Sequence, residues 1–227
     1  MRATGSLGRA AVLALALLSL PLPASAATEE QQLVDRAAIT IKEARNDPSF
    51  GNAPALLQRA KAVMVVPELI KAGFFFGGEG GNGVLLARRD DGTWSDPAFY
   101  GLGSASFGLQ IGVQSAEVVF FVMSDRALKA WMDDELKLGA KAGLTVLMLG
   151  SNAEAALTSN ADVDVIAWAR SKGAYAGITL EGSVIKPRHQ WNDAYYGRRV
   201  NPEDIVLAGA VTNPNTAPLR TALAMSN

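Results

Sequence analysis

Cysteine is absent and histidine occurs once in this chain of 227 residues. The first absence excludes disulfides, thiolate metal sites, a cysteine nucleophile and a lipobox cysteine for covalent lipidation, so any membrane contact has to be made by side chains. The second leaves a Ser-His-Asp hydrolase only His189 to use, and no G-x-S-x-G nucleophile elbow accompanies it. His189 lies between Arg188 and Gln190, the setting of a solvated surface residue. Charge is also scarce: 19% of residues are charged, with 21 Lys and Arg against 22 Asp and Glu and a formal net charge of -1. A generic electrostatic draw for nucleic acid is not expected from that balance. The carboxylates give no metal site, because Asp162 and Asp164 share a strand face without a local loop to supply the remaining oxygens of a calcium ion.

What is present is apolar bulk, 49% of the chain, enough for a sizeable core in one domain. Residues 1–26 carry Arg2 and Arg9, an apolar run at 10–20, a Pro21-Leu22-Pro23 break and Ala24-Ser25-Ala26, in the order of a secretory signal with an A-x-A cleavage site. The run is too short for a comfortable membrane span, and an acidic polar stretch follows at once. Cleavage after Ala26 is expected, which would move the net charge two units further negative and place the protein in the periplasm or outside the cell. The domain itself is expected over 27–210, with 211–227 a mobile tail.

The chain is organised around residues 71–123, where apolar runs alternate with glycine clusters and polar turns, the pattern of a β-meander. The spacer Gly77-Gly78-Glu79-Gly80-Gly81-Asn82-Gly83 is expected to reverse the chain between strands at 73–76 and 84–89, and Asp90-Asp91-Gly92 to make a second hairpin with Thr93-Trp94. Gly78-x-Gly80-x-x-Gly83 fits the dinucleotide-binding pattern literally, but no helix follows it to receive a pyrophosphate, so a turn is the better reading. Glycines at 101, 103, 108 and 112 point to sharp bends or close approach.

This stretch, together with SKGAYAGITLEGSVI at 171–185 and NDAYYG at 192–197, resembles the signature of the SYLF family of lipid-binding domains. The resemblance covers 57–197. It implies phospholipid binding, with phosphoinositides the ligands of eukaryotic relatives and actin bound by fungal members that join the domain to a src-homology module; no such module occurs in this sequence.

Around the meander, Leu33, Val34, Ala37, Ile41 and Ala44 fall at helical spacing after Thr28, and Pro54 opens a short second helix. A strand at 62–66 is expected to end at Pro67. Ser124 caps a helix whose face runs Leu128, Trp131, Met132 and Leu136. Strands are expected at 143–149 and 163–169, with 171–185 returning as a partner strand, and Asn201-Pro202 opens a last helix. The fold expected is α+β: a strongly curved antiparallel sheet or partial β-barrel with packed helices.

With lipid implied by the resemblance, the candidate contacts are Lys71, Arg88, Arg89, Lys172, Lys186 and Arg188, cations at strand ends or in adjoining turns, where they can reach phosphate while their stems cover apolar surface. In Phe74-Phe75-Phe76 either Phe75 or its two neighbours face away from the core, and Phe75 is the candidate for acyl chains. The helix at 28–46 lacks Trp and Phe and mixes both charges on its polar side, so it packs on the domain rather than on a bilayer. The expectation is a non-catalytic protein without cofactor or metal that binds phospholipid or a membrane surface in a bacterial envelope. The rival is an envelope structural or protein-interaction module in which the aromatics and glycines make a subunit contact between copies.

Overall fold

Four long strands carry the architecture: β1 (Ala62–Gly73), β2 (Phe76–Ala87), β3 (Ala98–Phe107) and β4 (Gly112–Val122). In the computed structural model, which describes residues 27–51, 53–73, 76–107, 112–139, 143–149, 163–172, 180 and 182–224, they join β5 (Leu136–Lys137), β6 (Val146–Met148), β7 (Val165–Lys172) and β8 (Val184–Pro187). The sheet runs β5-β8-β3-β2-β1-β4-β7-β6. All neighbours are antiparallel except β6 and β7, so the sheet is mixed rather than purely antiparallel, and it curls into a half-barrel.

Helices cover both faces. Alternation sends Val63, Val65, Val84, Leu86, Val119 and Phe121 to one face, where α1 (Glu29–Arg45), α2 (Ala53–Arg59) and α6 (Ala217–Ala224) bury them. Met64, Leu85, Tyr100, Phe120 and Val122 go to the other, beneath α3 (Asp125–Trp131) and α5 (Pro202–Val206). We call these the α1 face and the α3 face. The helix starts follow the expected chemistry: Thr28 accepts from Gln31 N–H, Ser124 from Ala127 N–H, and Asn201 makes a capping box with Asp204.

Several expectations need correction. β1 does not end at Pro67; it absorbs the proline in a bulge between Val65 and Glu68, after which the strand changes phase and sends Leu69 to the α3 face. The glycine run is not a turn but the first half of β2. Its glycines are needed for close approach to that bulge: a Cβ on Gly81 would stand 2.5 Å from the Glu68 carbonyl, and one on Gly83 2.8 Å from that of Val65. The reversal falls instead between Gly73 and Phe76, and the connecting residues lie outside the described ones.

Leu136 belongs to β5, α3 having ended at Trp131. Of the stretch 171–185 expected as a partner strand for 163–169, residues 171–172 end β7 itself and Val184 and Ile185 begin β8, which pairs with β3 and β5; 173–179 and 181 lie outside the described residues. Residues expected to form a mobile tail make α6, whose Leu219, Ala222 and Leu223 are buried with α1. The signal-like segment 1–26 lies outside the described residues.

Candidate functional site

The sequence-predicted cations do not converge. Lys71 and Lys172 lie where β1 and β7 approach one end of the sheet, with Lys172 opposite Ser115. Arg88 and Arg89 follow β2 at the other end, and the 12 residues of β1 between these ends span on the order of 35 Å. Lys186 and Arg188 flank β3 from β8. Phe75 lies outside the described residues, as do the side-chain surroundings of Lys172.

Each described cation has its own setting. Arg88 lies over the Trp94 ring at 4.3 Å and donates to the carbonyls of Leu57, Ala60 and Gly92, tying α2 to the Asp90-Asp91-Gly92 turn. Three of its five N–H groups are thus committed within the fold. Arg89 has no ion pair among the described residues and lies beside Gly209, in a groove of about 920 Å³ that also takes in Arg59, Lys61, Asp125 and Leu207. Lys186 pairs with Glu135 at 2.6 Å, and hydrogen bonds from Lys186 and Lys137 hold the Glu135 carboxyl below its ordinary value. Arg188 donates to Asn82 Oδ1 at 2.6 Å and covers the Trp191 ring, fixing α4 (His189–Tyr196) against the sheet. His189 is exposed and stands 3.8 Å from Asp134.

Buried polar side chains mark two other places. Asp164 accepts from Arg126, Ser124 and the Thr145 N–H; burial pushes its pKa up, but these bonds together outweigh that and hold it below the usual carboxylate value. Arg170 on β7 gathers Glu43 of α1, Asp47 and Glu117 of β4, clamping α1 to the sheet. Among the described residues no group of three or more His, Asp or Glu could hold a metal ion, and no helix is long and apolar enough to cross a membrane.

The residues sequence reasoning missed sit near Lys71. Direct cross-strand partners form one row on the α3 face, Gln114 of β4, Lys71 of β1, Glu79 of β2 and Ser104 of β3. Ser183, just before β8, extends it through a hydroxyl bond to Glu79. The next row inward, Ala116, Leu69, Gly81, Leu102 and Ile185, is apolar or glycine, so the core stops where this polar row begins. Glu79 falls within the run that the sequence presents as a turn; as a strand, the run puts its single acid on the core-facing side.

On the α1 face at the same end, cover gives out. Ile39 of α1 and Ile70 of β1 are 53% and 45% exposed. They line adjoining grooves of about 270 and 230 Å³ that meet at Arg36, Pro67 and Glu68, with Gly80 and Gly81 on the β2 side.

A curled mixed sheet covered on both faces by helices, with an exposed aliphatic rim and cations spread over its ends, defines an α+β half-barrel domain. The chain belongs to the Ysc84 family, the SYLF-domain family: residues 103–226 match it under the description "Las17-binding protein actin regulator". It is 35% identical to Protein YSC84 of Saccharomyces cerevisiae over 72% of this chain and 35% of that protein. It is 34% identical to LAS seventeen-binding protein 3 of the same yeast, over 71% of this chain and 35% of that one. To SH3 domain-containing YSC84-like protein 1 of Bos taurus it is 31% identical over 87% of this chain and 58% of the relative. The chain therefore spans between about a third and three fifths of these relatives. The family description speaks of binding and regulation, and the name of one of these relatives of binding.

Proposed function

We propose that this protein is a non-catalytic phospholipid- or membrane-surface-binding protein of a bacterial cell envelope, and that it meets the bilayer with the end of the sheet at Ile70 and Lys71. The observation that carries this reading is the exposed aliphatic rim of Ile39 and Ile70, at the sheet end where Lys71 lies on the opposite face. Apolar side chains that enter the acyl boundary next to cations that meet phosphate are the two ingredients of interfacial binding. The signal-like segment supports an envelope location, and family membership supports a binding role. Flotation of the purified protein with vesicles of phosphatidylcholine and phosphatidylglycerol tests it. Co-flotation that weakens with salt and with Ile70→Ser supports the reading; a protein that stays at the bottom of the gradient with every vesicle overturns it.

A second reading is favoured by the relatives' names, which point to protein partners: a protein-interaction module using the same rim. Co-sedimentation with filamentous actin, without lipid, would select it.

A further inference from the structure

Glu79 is a carboxylate that the fold buries without neutralising. It is 8% exposed. Its Oε1 accepts from Ser104 Oγ at 2.8 Å and Ser183 Oγ at 3.2 Å. Its Oε2 has no hydrogen-bond partner, and the side chain no ion pair, among the described residues; nor is that oxygen one of the polar atoms sealed from solvent. A nearly buried carboxylate without a counter-charge is costly to a fold. Lys71, its direct cross-strand partner, is on the same face and half-buried, yet forms no ion pair with it.

The acceptors exposed to a visitor define its chemistry. Each serine gives its only proton to Oε1; Ser183 is fully buried, so the acceptors open to a visitor are Oε2 and the Ser104 hydroxyl oxygen, which together carry one negative charge. A primary ammonium has three N–H donors and one positive charge. A guanidinium fork wants both oxygens of a carboxylate, and Oε1 is already engaged. A calcium ion wants six to eight oxygens. A quaternary ammonium has no N–H to give and is recognised by aromatic faces, of which the row of Gln114, Lys71, Glu79, Ser104 and Ser183 has none.

We propose that this row is a binding site for a primary ammonium group carried beside a phosphate, as in a phosphoethanolamine headgroup. The ammonium meets Glu79 and Ser104, with Ser183 holding Glu79 from beneath, and the phosphate, a two-carbon link away, meets Lys71 on the open side of the row. This rests on the lipid-surface reading and names the headgroup class it would select. The same chemistry is offered by a soluble phosphoethanolamine, and the test separates the two sources.

Flotation is run with vesicles of matched phosphatidylglycerol content in which the remaining lipid is either phosphatidylethanolamine or phosphatidylcholine, which differ in N-methylation. The full wild-type chain should bind the ethanolamine vesicles roughly tenfold more tightly. Glu79→Gln retains an oxygen for the serines and removes the charge, so it should lose that preference and retain its binding to the choline vesicles, with an unchanged melting temperature showing that it folds. Equal wild-type binding to both vesicles, while both are bound, overturns the proposal and leaves the lipid-surface reading standing; this arm decides even where the variant fails to fold. Calorimetry with O-phosphoethanolamine covers the second source: binding by wild type, lost in Glu79→Gln, with no vesicle bound at all, supports the site as one for a soluble amine and overturns the lipid-surface reading. No binding to vesicles or to O-phosphoethanolamine overturns both.

Discussion

The sheet end at Ala62, Ala87 and Val122 and the end at Lys71, Glu79 and Gln114 are built from the same long strands under opposite rules. At the first, every strand residue is buried, Trp131 of α3 closes over Phe120 with ring centres 6.4 Å apart, and Tyr100 Oη donates to the Trp131 carbonyl. Burial accordingly pushes the Tyr100 hydroxyl well above its ordinary pKa. Buried or half-buried charges at this end are committed, Arg88 to carbonyls and Asp164 to Arg126, Ser124 and Thr145, with Arg89 the exception that faces a groove. At the second end, glycines replace core side chains, Ile70 is exposed, and the acid Glu79 has no cation partner among the described residues. The difference separates what specifies the fold from what is left available to a ligand.

The comparison breaks most sharply in stability. Trp131→Ala removes a fully buried indole and should cost about 3–5 kcal/mol in urea unfolding, whereas Lys71→Ala at the open end should stay within about 0.5 kcal/mol. An equal cost at both positions would show that the open end is core after all. Asp164 comes next. Its pKa is depressed in the fold, so its contribution is present above the ordinary carboxylate pKa of about 3.9 and is lost as pH falls through the lower folded value. Asp164→Asn should cost about 2 kcal/mol at pH 7, and the gap from wild type should close below about pH 4, read by melting temperature against pH. A gap constant over that range would mean that charge plays no part.

The glycine run sharpens the contrast within a single strand. Gly81→Ala drives a methyl onto the Glu68 carbonyl at the β1 bulge and should cost about 1–3 kcal/mol. Gly78→Ala meets only the Ser104 carbonyl at an ordinary 3.6 Å and should be neutral or mildly stabilising, because it removes unfolded-state freedom. Chemical denaturation of the two variants side by side reads the difference. Two equal effects would return the run to the status of a simple flexible stretch.

That run also marks where the sequence was legible and where it was not. Caps and periodicity belong to local chemistry, so Thr28, Ser124 and Asn201 announced their helices, and the Asp90-Asp91-Gly92 turn was readable because Asp91 holds Thr93 from two residues away. The sheet was legible from the alternation of apolar runs and polar turns, and its curvature from the glycines set among them. The glycines at 77–83 were not, because a turn and a close approach ask for the same residue, and only the bulge at Pro67 on the neighbouring strand tells which applies. Helix α6 was missed for a related reason: Pro214 and Pro218 suggested loose chain, yet Pro218 lies in the first turn of a helix, where a proline loses no bond. Of the candidate site, the cations were visible as residues. That Arg88 is spent on carbonyls, or that Glu79 faces Lys71, depends on register between strands, which alternation alone does not give.

The smallest expected effect separates neighbours. Arg88 and Arg89 are adjacent and chemically identical, but Arg88 ties Leu57, Ala60 and Gly92 together over Trp94, while Arg89 faces a groove without an ion pair among the described residues. Arg88→Ser should therefore lower stability by about 1–2 kcal/mol through the orphaned carbonyls and the lost ring contact. Arg89→Ser should stay within about 0.5 kcal/mol. In vesicle flotation a well-folded Arg89→Ser variant should likewise behave almost as wild type does, because Arg89 lies at the end of the sheet far from Ile70 and Lys71. A several-fold loss of vesicle binding in Arg89→Ser, at unchanged melting temperature, would move the membrane-facing surface to the groove beside Gly209 and invert the roles assigned to the two ends.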